Sequence, residues 1–216
     1  YRLGFSMFEL MDEVATLINS ILNQPLKIES LSYQQAFAKY AGIEDIFSAT
    51  AEICQASLKQ YGVAEIVGVD ADDKDLWEQL VLTEVIEPQL GVKDGGMAMS
   101  VLYHFPASQA SLAQLSVENP LVAERFEVFV NGMELANGYH ELADAELYRA
   151  RFNDALQERQ QLGFKSVPLD ENLLATLNKQ PLPDCSGVAL GVDRLFALQQ
   201  GFEDIQQGIA FGLKAC

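Results

Sequence analysis

A chain of 216 residues, 49% hydrophobic and 21% charged, has enough apolar side chains for one large domain and excludes a disordered or fibrous protein. Its net charge of −17 comes from 31 acidic and 14 basic residues with no cluster of lysine and arginine, which argues against an unaided grip on nucleic acid. No apolar run approaches the ~18 residues of a membrane span, no basic signal region is present, and three scattered cysteines, Cys54, Cys185 and Cys216, read as reduced thiols of a cytoplasmic protein.

Tyr1 stands almost at the start of a helix, which reads as a domain cut in mid-chain. Ser6 and Glu9 have the spacing of a capping box, and Phe8, Met11, Ala15, Ile18 and Leu22 recur at helical intervals before Pro25. Ser32 and Thr50 are expected to cap two further helices, ending before Gly42 and Gly62, and a fourth is expected from Asp72 to Glu87, where Pro88 stops it. The first ninety residues are therefore expected to be mainly helical.

After Gly95 the pattern changes. Met99 to Phe105 is rich in strand formers, and Arg125–Val130 and Met133–Asn137 flank Asn131-Gly132, the strongest short hairpin signal. Helices are expected from Asp144 to Leu162 and after Asp170, then a buried strand near Gly187 leads into a helix bearing Arg194. The expected class is α+β, divided into a helical part with an insertion (1–95) and an antiparallel-sheet part (96–216).

A two-residue turn at Asn131-Gly132 would set Phe129 opposite Glu134, Val128 opposite Leu135 and Glu127 opposite Ala136. Alternation then puts Phe126, Val128, Val130, Met133 and Leu135 on an apolar face, with Arg125, Glu127, Phe129 and Glu134 on the other. Glu127 and Glu134 become diagonal neighbours. Two such hard oxygen donors suit Mg²⁺ that serves a nucleotide, and a solvated pair of surface charges suits the same spacing. Asn137 reaches the face of Glu141 only if a bulge forms near Gly138.

Gly187-Val-Ala-Leu-Gly191-Val-Asp-Arg194 reads as strand, glycine, then helix. Glycine lets a flat ring approach the backbone, and a guanidinium can stack on a purine or fork onto phosphate; the spacing is neither a dinucleotide fingerprint nor a P-loop.

Together, R-F-E-V-F-V-N-G-M-E-L-A-N-G-Y-H-E-L (125–142) and G-V-A-L-G-V-D-R-L (187–195) resemble the catalytic domain of class II lysyl-tRNA synthetases. Y-H-F-P-A-S-Q-A-S-L-A-Q (103–114) and P-D-C-S-G (183–187) are similar to the paralogous branch that attaches lysine or β-lysine to elongation factor P. The resemblance implies an antiparallel sheet flanked by helices, ATP and Mg²⁺ as cofactors, and lysine or (R)-β-lysine as substrate. It further implies elongation factor P as acceptor, with tRNA not expected, no membrane, and a homodimer left open for the full chain. By the same resemblance Glu127 and Glu134 hold the metal, and Glu134, Leu135, Gly191 and Arg194 hold ATP. Tyr1, Asn137, Glu141 and Ala189 contact the amino acid, while Arg194 and Glu134 act at the reacting phosphates. Ala189 stands where lysyl-tRNA synthetases usually have glycine. His140 is read as a hydrogen-bonded strand-end residue. The family's motif 1, motif 2 arginine and the glutamate of E-x-Y fall N-terminal to Tyr1. The sequence is thus expected to be an N-terminally truncated activating domain without activity alone.

Overall fold

The computed structural model of the chain describes residues 1–93 and 96–212. Cys216 and the boundary expected at Gly95 lie outside the described residues. A two-residue strand, β1 (Arg2–Leu3), precedes α1 (Met7–Leu22). Ser6 caps α1 reciprocally, its hydroxyl accepting from the Glu9 amide and the Glu9 carboxylate from the Ser6 amide at 2.9 Å. The buried stripe is Met7, Leu10, Met11, Val14, Ala15 and Ile18. This corrects the expected stripe: Phe8 is half exposed and sets its ring edge-on against Tyr103 and His104, at 5.4 and 5.8 Å between centroids.

Ile28–Ser32 forms β2, a strand the sequence reading does not contain. Its two apolar residues, Ile28 and Leu31, fall on opposite faces, so no two-residue period marks it. α2 (Tyr33–Ala36) continues as a π-helical turn over Phe37–Ala41 and stops at Gly42, where φ is +68°. α3 (Ala51–Gln60) follows Thr50, which takes the expected N-cap position but makes no side-chain capping hydrogen bond. α4 (Lys74–Val81) starts later than expected, capped by the Asp73 side chain, and passes into a π-turn (Leu82–Ile86) and a 3₁₀ turn (Glu87–Gln89). Pro88 lies inside that last turn, where its missing N–H costs no helical bond.

Two short strands, β3 (Val92–Lys93) and β4 (Gly96–Met97), pair with each other. The main sheet holds β5 (Met99–Tyr103), β6 (Arg125–Val130), β7 (Met133–His140) and β8 (Cys185–Leu190) with β1 and β2. Helices α5 (Ala145–Gln161) and α6 (Glu171–Lys179) lie between β7 and β8, and α7 (Val192–Gln200) follows β8. The order is β1-β8-β7-β6-β5-β2, antiparallel except for the parallel pair β2 and β5. The chain is thus α+β with a mostly antiparallel six-stranded sheet flanked by helices, and strands from the first thirty-two residues form both edges.

One face of the sheet packs Met99, Val101, Phe126, Val128 and Val130 against α1 and Leu195 of α7. On the other face Leu102 and Phe129 meet Tyr33, Phe37, Trp77, Val85 and Ile86 of the helical layer. Side chains such as Phe37 and Ile86 are wholly buried, each contributing about 1.5–3 kcal/mol of transfer free energy, which fixes that layer over one end of the sheet. The other end of the same face, along β7 and β8, carries polar residues and opens into clefts.

Asn131 and Gly132 both have positive φ, +54° and +73°, as a tight two-residue turn requires. Val130 pairs with Met133 and Phe129 with Glu134, as expected, but Val128 then pairs with Ala136 and Glu127 with Asn137. The bulge therefore falls at Leu135 and not near Gly138, and the expected pairs Val128–Leu135 and Glu127–Ala136 do not form. At Gly138 the Phe126 ring occupies the space above the backbone, where a Cβ would come within 2.5 Å of Cε1. Leu135, by contrast, can be the extra residue and stay buried against the α1 side. The strand also runs on to His140, three residues past its expected end.

Candidate functional site

The Leu135 bulge resets the alternation, so Asn137 lies directly across the ladder from Glu127 and donates from Nδ2 to Glu127 Oε1 at 3.0 Å. Across the next ladder Asn137 faces Ala189 and Tyr139 faces Gly187. Glu127, Asn137, Tyr139, Gly187 and Ala189 therefore share one face.

Glu127 is 7% exposed. Burial raises its carboxyl to about 7, working against the Arg125 guanidinium and reinforced by the charges of Glu134 and Glu87. Arg125 Nη2 donates to Glu127 Oε1 at 2.6 Å. This disposes of a merely solvated Glu127. Glu134, across from Phe129 on the same face, is more open and is reached by Arg194 Nη1, 2.7 Å from its carbonyl and 3.5 Å from Oε2.

The glycine turn meets the hairpin at the bulge. Gly191 N donates to the Leu135 carbonyl at 2.8 Å, and Arg194, in the first turn of α7, holds the neighbouring Glu134 carbonyl. Both carbonyls at the irregularity are thereby satisfied. A methyl on Gly191 would meet Arg194 Cδ at 3.5 Å, an ordinary contact, so no packing within the chain demands glycine there. Glu134, Leu135, Asn137, Ala189, Gly191 and Arg194 line one cleft of about 380 Å³. Glu134 and Arg194 also line an adjoining one of about 450 Å³ that includes Glu87.

A further cleft of about 520 Å³ shares Asn137 and Ala189 with the first and adds Tyr1, Tyr139, Glu141 and Gly187. Glu141 is 9% exposed; burial raises its carboxyl, against the pull of the N-terminal ammonium and His140. Among the described residues its carboxylate makes no hydrogen bond or ion pair with a side chain, and Asn137 Oδ1 is buried without a hydrogen-bond donor. A Cβ on Gly187 would collide with Glu141 Oε1 and stand 2.6 Å from Tyr1 Cε1, so Gly187 is the floor between those two side chains. β1, carrying Tyr1, is held by its pairing with β8 and by Gly4 N donating to the Asp184 carbonyl at 2.9 Å.

His140 is a hydrogen-bonded strand-end residue, with Nδ1 2.5 Å from Glu124 and Nε2 2.7 Å from Asp184. Burial alone would lower it; the two acidic partners prevail and raise it. It lines none of the three clefts.

The residues nominated for metal, ATP and amino acid thus border these clefts or, in the case of Glu127, bond a side chain that does, whereas His140 does neither. The sequence reading overlooks Tyr139 and Gly187 as cleft residues and treats Arg125 as one charge on a polar face. Among the described residues no three His, Cys, Asp or Glu side chains could hold a metal by themselves, and no helix is long and apolar enough to cross a membrane. Residues 5–215 match the family model of tRNA synthetases class II (D, K and N), a span covering every nominated site residue except Tyr1.

Proposed function

The chain belongs to the class II tRNA synthetases (D, K and N), a family of ATP-dependent aminoacyl ligases, and within it we propose that this site activates lysine or (R)-β-lysine for transfer to a lysine of elongation factor P. The carrying observation is Glu141: a nearly buried carboxylate at the floor of a cleft, with no cationic side chain among the described residues in an ion pair with it. A buried carboxylate is costly unless matched, and the ammonium at the end of a lysine side chain is the matching charge. Asn137 lines the same cleft, and its Oδ1, a buried acceptor without a donor among the described residues, suits the substrate's other amine once the side chain turns to it. Tyr1 offers its ring beside Gly187, and the Ala189 methyl narrows the cleft opposite Asn137, favouring the altered backbone of a β-amino acid.

In this reading Glu134, Leu135, Gly191 and Arg194 border the ATP, with Arg194 set for the terminal phosphates. Glu127 and Glu134 suit Mg²⁺: both are carboxylates on one face, and among the described residues Glu127 Oε2 is left without a hydrogen bond while Oε1 takes two. When bound, Mg²⁺ would neutralise charge on the leaving pyrophosphate. The chain's own contribution is positioning: Glu141 and Asn137 fix the amino acid, and Arg194 fixes the nucleotide, so that the substrate carboxylate can attack the α-phosphate.

The test is pyrophosphate exchange into ATP by the full-length protein with lysine, (R)-β-lysine and other amino acids, followed by transfer assays to elongation factor P and to tRNA. Exchange confined to the two lysines, with transfer to the protein acceptor, is expected. Robust charging of tRNA would defeat the proposal in favour of a lysyl-tRNA synthetase.

A further inference from the structure

The segment F-P-A-S-Q-A-S-L-A-Q (105–114) forms a scaffold behind both site carboxylates. Gln114 N donates to the His140 carbonyl and Gln114 Nε2 to the Glu141 carbonyl, both at 2.8 Å, beside a β-bridge between Ala113 and Glu141. At the other end the Gln109 carbonyl accepts from Arg125 Nη1 at 2.8 Å. Gln109 itself is tied into the helical layer, its Nε2 lying 3.1 Å from Glu78 Oε1 and 3.4 Å from the Tyr33 hydroxyl, both partners being buried. Phe105 of the same segment lies under the Arg125 guanidinium, 4.4 Å from carbon to ring centroid. Arg125 is thus fixed on three sides: Phe105 below, the Gln109 carbonyl at Nη1, and Glu127 at Nη2.

We propose that Arg125 is a positioning residue for Glu127: a guanidinium clamped by Phe105 and Gln109 holds Glu127 Oε1, so that Asn137 is oriented and Glu127 Oε2 stays available to a ligand. The inference rests on the reading of Glu127 as part of an ATP and Mg²⁺ site. The geometry requires arginine in particular. A guanidinium directs separate N–H groups at Gln109 and Glu127 while its plane lies on a ring; an ammonium is a point donor and cannot do all three from one place. Asn137 Nδ2 bonds the same Glu127 oxygen, so a carboxylate released from Arg125 would disturb the orientation of Asn137, which lines the amino-acid cleft.

Two arms test this on the full-length protein. In the first, the side-chain amide of Asn137 is followed by ¹⁵N NMR in wild type, Arg125→Lys and Arg125→Met, without ATP or metal. Its resonances are expected to shift or broaden in both variants, more in Arg125→Met; an unchanged Asn137 amide in a folded variant overturns the proposal. In the second, the Mg²⁺ dependence of pyrophosphate exchange is measured with lysine or (R)-β-lysine. The Mg²⁺ needed for half-maximal rate is expected to rise about tenfold in Arg125→Met and by less in Arg125→Lys, the scale of one charge-assisted contact. A double variant with Glu127→Gln should be no worse than Glu127→Gln alone, since the two act as one unit; additive losses overturn the proposal. If Arg125→Met does not fold, Arg125→Lys decides both arms. A wild-type protein that exchanges with neither lysine defeats the proposed function, while the Asn137 resonances still decide the role of Arg125.

Discussion

Gly187→Ala separates the fold from the amino-acid cleft. An added methyl would collide with Glu141 Oε1 and come within 2.6 and 2.8 Å of Tyr1 Cε1 and Cδ1. All three atoms belong to side chains: Tyr1 is 85% exposed, and among the described residues the Glu141 carboxylate has no hydrogen-bonded partner to hold it. Both can swing aside, and Gly187 has no left-handed φ that alanine would resist. Stability should therefore change by less than about 1 kcal/mol. The position the carboxylate vacates is the one assigned to the substrate ammonium. Losing a charge-assisted hydrogen bond there costs about 1.5–3 kcal/mol, or roughly 10- to 100-fold in lysine affinity. Lysine titrations of pyrophosphate exchange at saturating ATP, alongside thermal melts, check both numbers. A variant that melts like wild type and keeps its lysine KM within about twofold would refute the reasoning, because the cleft would then not hold the substrate between Tyr1 and Glu141.

Glu134→Gln is expected to abolish Mg²⁺-ATP-dependent adenylate formation, and Glu127→Gln to weaken it less, both read by pyrophosphate exchange; wild-type rates in both would remove the two carboxylates from the nucleotide site. For His140 the hydrogen bonds to Asp184 and Glu124 raise the folded-state pKa above the ordinary 6.5, so its stabilisation is full below pH 6.5 and fades as pH rises through the raised value. Urea midpoints of wild type and His140→Gln should accordingly converge between pH 6 and pH 9; a gap that widens with pH would contradict the assignment. Gly132→Ala forces a side chain into the left-handed region and should lower unfolding free energy by about 1–2 kcal/mol in urea titrations.

Local chemistry made much of this protein readable from its sequence. Ser6 with Glu9, Ser32 and Asp170 cap the helices assigned to them, because a cap depends on residues two or three positions apart. Asn131-Gly132 fixed the hairpin for the same reason: positive φ at two successive residues is a local demand. The acidic pair and the glycine turn could be nominated from spacing and resemblance.

Beyond the two pairs next to the turn, spacing could not carry what is decided across strands. The bulge sits at Leu135 because Phe126 fills the space over Gly138 and because the Leu135 and Glu134 carbonyls find Gly191 and Arg194, residues more than fifty positions away. β2 exists because β5 offers an edge, with little apolar period of its own to announce it. Arg125 reads in sequence as one more exposed charge; only packing against Phe105 and Gln109 turns it toward Glu127. The sequence by itself nominated the residues proposed for chemistry and determined most of the elements that bear them. Tertiary structure decided that Asn137, Tyr139 and Ala189 join the face of Glu127, because a one-residue slip in a ladder sends every side chain beyond it to the opposite side.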